Sequence, residues 1–253
     1  MSDGPDICWF RRDLRVADQP ALVGDGHTPT VSVFVVDPRP LATAGPRRRA
    51  LLARHLTALD ARLRDAGGDL LVLEGDPISV IPRLAVDLGA GTVRWNGDVS
   101  GHAQRRDAAV RSRLAASGIG AEVHWGTLVH APGSVVARST GVVQRVFTPF
   151  WRAWAATDRA PWPAGPPVLV PATGMHGRSA ATAIGVDPAL DGDLLPAGGE
   201  VAAEDRLAAW LEEVDGYEQR RDLPADDTGT SRLSSDLRFG TLSPRHVDRK
   251  SVV

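Results

Sequence analysis

Cysteine, lysine, tyrosine and methionine are nearly absent from this 253-residue chain. One cysteine, Cys8, excludes an internal disulfide and any cysteine-rich metal site. It lies in the apolar run Ile7-Cys8-Trp9-Phe10 and is read as a buried, inert thiol. Of 29 Lys and Arg residues only Lys250 is lysine, so arginine carries nearly all the positive charge, through coding bias or phosphate chemistry. A net charge of −2 gives no global basic field for nucleic acid, so any such contact has to be a local patch. No apolar run reaches membrane-spanning length and no signal peptide is visible, from which a cytoplasmic protein with no membrane partner is expected. Neither G-x-G-x-x-G nor G-x-x-x-x-G-K-[ST] follows the first apolar run, so neither a Rossmann dinucleotide site nor a P-loop is supported. The seven histidines are scattered, and there is no carboxylate dyad or metal cluster; no catalytic residue and no metal ligand is assigned.

What is present is an alternation. Short apolar runs at 7–10, 30–36, 70–73, 92–95 and 122–125 read as strands. Between them lie a short helix capped by Asp18 and led by Pro20, then helical patterns over 47–66, 77–88 and 101–117, the first and last stopped by Gly67-Gly68 and Gly118. Strands alternating with helices of this length predict an α/β fold: a five-stranded, doubly wound parallel sheet covered on both faces. Residues 1–126 hold all five strands and are expected to fold alone. Ligands of such sheets bind beyond the carboxyl ends of the strands. That rim carries Arg11-Arg12-Asp13, Asp37, Glu74, Asp76 and Asn96-Gly97-Asp98, which suits a polar heterocycle and equally suits solvated loops.

From Leu128 to about Gly199 the pattern breaks. Proline and glycine are frequent, and apart from the aromatic knot Val146–Trp154 the stretch reads as a long linker over the surface. A helix resumes at Glu200 with Val201, Leu207, Trp210 and Leu211 on one face. Near the end stands Gly229-Thr230-Ser231-Arg232-Leu233-Ser234-Ser235-Asp236-Leu237-Arg238-Phe239-Gly240-Thr241-Leu242-Ser243-Pro244-Arg245, where a glycine-led loop turns into a helix. A helix start leaves N–H groups unpaired and carries partial positive charge, so the hydroxyls of Thr230, Ser231 and Ser234 can complete an anion site there. An ordinary helix cap accounts for the same spacing.

Four stretches in this order resemble the photolyase/cryptochrome family: Trp9–Arg15, Val146–Trp154, Gly216–Asp222 and Gly229–Arg245. The likeness is strongest to the bacterial class I cyclobutane pyrimidine dimer photolyases and covers essentially the whole chain. The resemblance implies an antenna domain over 1–127, an interdomain linker over 128–199, and from 200 to 253 the first helices of an all-α FAD-binding domain. It places Tyr217, Thr230, Ser231, Arg232, Leu233 and Ser234 on FAD-contacting positions. For the antenna it points to Asn96, Asp98 and His102. Where folate-binding relatives carry an Asn-Glu pair this chain has His102-Ala103, which removes a carboxylate partner for the pterin, so deazaflavin and methenyltetrahydrofolate both stay open. The implied function is light-driven repair of cyclobutane pyrimidine dimers by electron transfer from reduced FAD, with UV-damaged DNA as partner and a monomer as the working state. A cryptochrome photoreceptor shares nearly all these stretches, and a non-enzymatic chromophore-binding α/β module is the third reading. Family helices are implied beyond Arg245, whereas Asp248-Arg249-Lys250 leaves the apolar period, so a truncated member that binds FAD weakly or not at all is expected.

Overall fold

The computed structural model describes residues 4–251 apart from 138–140, 188, 191, 224 and 227. Five strands, β1 (Asp6–Phe10), β2 (Thr30–Val36), β3 (Leu70–Glu74), β4 (Thr92–Asn96) and β5 (Gly120–His124), form one parallel sheet in the order β3-β2-β1-β4-β5. Central β1 and β2 are buried along their whole length, because every second side chain goes to an opposite, covered face. On one face Cys8, Phe10, Phe34 and Val36 pack with Leu22 of α1 (Pro20–Val23) and Leu56, Leu59 and Leu63 of α3 (Pro46–Asp65). On the other, Ile7, Trp9, Val33, Val93 and Trp95 meet Ile81 and Leu84 of α4 (Pro77–Asp87) and Val110 and Leu114 of α5 (Gly101–Ala116). Cys8 lies within the first core, where burial pushes its thiol well above the usual range.

Two local features depart from the sequence reading. A short helix α2 (Pro38–Ala42) follows β2, started by the Asp37 carboxylate, which accepts from the Arg39 N–H at 3.0 Å. Asp18 does not cap α1; that position is Gln19. Asp18 instead adopts a left-handed backbone (φ 49°), and its buried carboxylate takes both Nε and NH2 of Arg245 and the Ser243 hydroxyl.

The stretch expected to run over the surface does more than connect. Thr30 exchanges backbone bonds with Val168 and Val170, and the Arg178 N–H donates to the Val72 carbonyl on the sheet edge. Leu169 and the residues Ala180, Ala183 and Ile184 of α7 (Ala180–Ile184) complete the first core, and Ala172 joins the second. The five strands alone therefore do not hold the whole core. Before this strap lies α6 (Phe147–Ala156).

After it come α8 (Glu200–Glu213), α9 (Tyr217–Arg220), α10 (Ser234–Phe239) and α11 (Pro244–Ser251). They are joined to the loop after β1. Glu200 accepts from the Val16 and Ala17 N–H groups at 3.0 and 2.9 Å, and buried Arg15 reaches the carbonyls of Gly240 and Gly126 at 3.0 and 2.5 Å. Buried Asp236 receives Arg206 at 2.6 and 3.0 Å and the Thr241 hydroxyl at 3.1 Å. Each buried charge has its counter-charge or backbone partner, the condition under which such groups can be held inside.

Candidate functional site

The strand order sets where a ligand can lie. From β1 the chain moves outward through β2 and β3, then returns across β1 to β4 and β5. The crossovers diverge at β1 and β4, leaving a crevice beyond their carboxyl ends. A hollow of about 130 Å³ lies there, walled by Arg11, Arg12 and Asp13 after β1, Asn96, Gly97 and Asp98 after β4, and Thr127 with Leu128 after β5. Leu237 of α10 closes one side, so the hollow lies between the sheet rim and the helical segment.

Its floor is rigid. Asp107 of α5 accepts from Arg11 NH1 at 2.6 Å, from Arg106 NH2 at 2.9 Å and from the Trp95 indole at 3.2 Å. The Arg11 and Arg106 guanidinium groups lie 4.8 and 4.9 Å from the Trp9 ring, and Trp9 meets Trp95 edge-on at 5.8 Å. Asn96 belongs to this frame. Its amide donates to Asp13 Oδ2 at 2.6 Å and to Gln19, and its oxygen accepts from the Gly126 N–H at 2.7 Å. Sequence placed Asn96 towards a ligand; its side chain is instead used in tying the loops after β1, β4 and β5 together.

The groups left facing outward are Asp98 and Arg12. Burial raises the Asp98 carboxyl, but hydrogen bonds from the Ser100 backbone and side chain, with Arg12 and Arg11 nearby, outweigh it and hold the group below the usual carboxylate range. Arg12 is half exposed, 3.3 Å from Asp98, with its Nε on the Arg238 carbonyl at 3.3 Å. Burial first, then the charges of Arg12 and Arg48, lowers the basicity of Arg238. His102 lies exposed in the first turn of α5 and is not part of the hollow's lining. An ionised carboxylate beside an arginine can orient a polar ring by hydrogen bonds.

The second group of expected residues lies along the loop into α10. Leu233 is buried with Ala203, Leu207 and Leu242, which pins the loop from below. Thr230 and Ser234 are exposed and Ser231 is half-buried, and among the described residues none of their hydroxyls bonds to protein. Arg232 has a left-handed backbone (φ 51°). Tyr217 is exposed on one side, its ring edge-on to Trp210 at 5.7 Å with Arg221 5.7 Å above it. Thr230, Ser234 and Tyr217 are open to solvent, and Arg220 of α9 donates to the Thr228 hydroxyl just ahead of the loop. Gln19 and Asp107, which sequence reading missed, carry no motif and support the hollow from behind; Asp13 was placed at the rim from sequence, and Leu237, within the 229–245 stretch, is brought to the hollow only by the fold.

Comparison with known proteins bears on this arrangement. The DNA photolyase family model matches residues 6–167. A deoxyribodipyrimidine photo-lyase of Halobacterium salinarum is 38% identical over 95% of this chain and 53% of its own length. A 31.6 kDa protein of Synechococcus sp. is 37% identical over 98% of this chain and 89% of its own. Among solved structures, a class III photolyase from Agrobacterium tumefaciens superposes with a TM-score of 0.82 at 30% identity, over 100% of this chain and 54% of that one. The chain thus spans about half the length of the curated photolyases it matches. With its 3-2-1-4-5 parallel sheet, its crevice at the switch point and this match along the chain, the chain belongs to the DNA photolyase family and comprises that family's N-terminal domain with the helices that follow it.

Proposed function

We propose that this chain forms the light-gathering half, and one wall of the FAD site, of a photolyase-type lyase that repairs cyclobutane pyrimidine dimers in DNA. The observation that carries the reading is structural adjacency: the loop after β1 lines the switch-point hollow with Arg11–Asp13 and, through Arg15 and Asp18, anchors the 229–245 segment. An antenna and a flavin wall would thereby be held on one rigid frame.

The residues present suit a flavin dinucleotide on one side. Thr230, Ser231 and Ser234 offer unbonded hydroxyls and Arg232 a cation for the diphosphate, while Leu233 fixes the loop and Tyr217 presents a ring face. Reduced FAD, when bound, supplies light-driven electron donation that splits the dimer's cyclobutane ring. The protein's part is binding and orientation. At the hollow, Asp98 and Arg12 would orient an antenna ring, a deazaflavin or methenyltetrahydrofolate; His102, outside the lining, would reach it only as an outlying contact. At about 130 Å³ the hollow is smaller than the roughly 300–1,000 Å³ that buries a whole ligand, so Asp98 and Arg12 would hold only part of such a group.

The test joins this chain to the portion of the Agrobacterium photolyase outside the span it matches. The FAD-loaded chimera is then assayed for light-dependent repair of an oligonucleotide bearing one thymine dimer. Repair in light and none in darkness is the expected result. A folded, FAD-loaded chimera that leaves dimers intact would favour the cryptochrome-type reading.

A further inference from the structure

The chain holds seven tryptophans and one tyrosine, so its near-ultraviolet absorption is almost wholly that of indole. Three of the seven lie under the switch-point hollow, each one residue removed from its lining. The Arg11 guanidinium, part of the wall, stacks 4.8 Å from the Trp9 ring. Trp95 immediately precedes the lining residues Asn96 and Gly97. Trp125 packs on Gly97 so closely that a Cβ there would meet its ring at 2.6 Å. The inner two are dry and fixed. Trp9 is 1% exposed and Trp95 0%, and their planes cross at 60°. The Trp95 indole N–H donates to Asp107, and Arg106 covers Trp9 beside Arg11. Core packing calls for buried rings; it does not call for rings tied by Asp107 to the arginine that walls the hollow.

We propose that Trp9, Trp95 and Trp125 form an ultraviolet collector that passes excitation to a chromophore held in the hollow. The inference rests on the chromophore reading of that hollow and adds a donor to it. Indole emission falls in the near ultraviolet, where deazaflavins and methenyltetrahydrofolate absorb, so the transition dipoles of donor and acceptor can couple through space. The excited indole returns to its ground state as it hands its energy on; no bond forms or breaks, and no electron or proton changes place. Such coupling falls steeply with distance and depends on the angle between the rings. All three indoles lie one residue from the ligand space, and Trp9 and Trp95 are locked in angle by Asp107 and the two guanidinium groups. The chain thereby gathers wavelengths shorter than the chromophore's own main band.

The probes are a deazaflavin and methenyltetrahydrofolate, each loaded on the whole chain and freed of excess, with loading read from absorbance above the protein band. The excitation spectrum of the bound chromophore's emission should carry a tryptophan band in excess of the chromophore's own absorption, and the protein's emission should fall on loading. The double variant Trp9→Phe/Trp95→Phe should load to the parent's stoichiometry and lose most of that band. Trp210→Phe, whose ring packs on Tyr217, should keep it. If the double variant does not melt cooperatively, Trp125→Phe, at a half-buried position, takes its place and should lose part of the band. A loaded chain with no tryptophan band, or one whose band is the same in the parent and in these variants, overturns the proposal. Loading by neither chromophore removes the reading beneath it as well, so the two failures are told apart.

Discussion

His55 lies on α3 with its ring 4.8 Å from that of Phe239, fully buried, and Nδ1 accepts the Gly199 N–H at 3.0 Å. Nε2 has no partner among the described residues, so the neutral ring carries its proton there. A second proton would have to reside on Nδ1 and break the bond to Gly199. Burial, with Arg206 adding to it and Asp236 opposing it, lowers the imidazole to about 4. In the unfolded chain the group returns to an ordinary value near 6.5. Between these values the unfolded state takes up the proton and the folded state does not. The contribution of His55 is therefore whole above pH 6.5 and is lost as pH falls towards 4, by about 3 kcal/mol in all. His55→Asn keeps an acceptor for Gly199 and removes the titration. Urea melts at pH 7, 5.5 and 4.5 should show the parent weakening across this window more steeply than the variant; parallel losses in both would mean that other groups govern the acid limb.

At the scale of elements, α4 shows how a helix survives an internal proline. Pro82 has no N–H for the Ile78 carbonyl, and Arg113 of α5 donates to that oxygen at 3.1 Å and to the Ser79 hydroxyl at 3.0 Å. Arg113→Ala should cost about 1 kcal/mol in the parent and less than half of that beside Pro82→Ala, which restores the missing donor. Equal losses in both backgrounds, read from denaturant midpoints, would show that the arginine does not serve this carbonyl. Most elements were legible in the sequence because one local signal dominated: Thr30–Val36 is β-branched nearly throughout, and the leucine period of α3 is helical. β5 starts two residues and ends one residue earlier than read, at Gly120–His124, because an edge strand that is only partly covered lacks a continuous apolar run. The contribution of 128–199 was not legible. Leu169, Ala172 and Ile184 enter the cores singly from proline- and glycine-rich backbone, with no period to reveal them. Asn96 and Asp98 were placed at the rim by strand topology, but only the fold shows that the first supports the hollow and the second faces into it.

At the scale of the whole molecule, the loop after β1 acts as a pivot. One side of it lines the hollow; the other, through Arg15, Asp18 and the Glu200 contacts, fixes the helices that follow the sheet. Among the described residues, no helix is long and apolar enough to cross a membrane. Because the groups assigned to FAD, Tyr217 and the Thr230–Ser234 loop, are largely open to solvent, FAD should bind this chain weakly or not at all, since tight sites enclose about 70–90% of a ligand. Flavin fluorescence titration yielding a sub-micromolar dissociation constant would show instead that the ring is already enclosed. The central claim, that the switch-point hollow holds a light-gathering chromophore, is tested most directly by titrating the whole chain with a deazaflavin and with methenyltetrahydrofolate, following absorbance above the protein band. The account predicts that one of the two binds at a single site, and that Asp98→Asn and Arg12→Ala each weaken it about tenfold without changing the melt; binding of neither, or equal binding by parent and both variants, would contradict it.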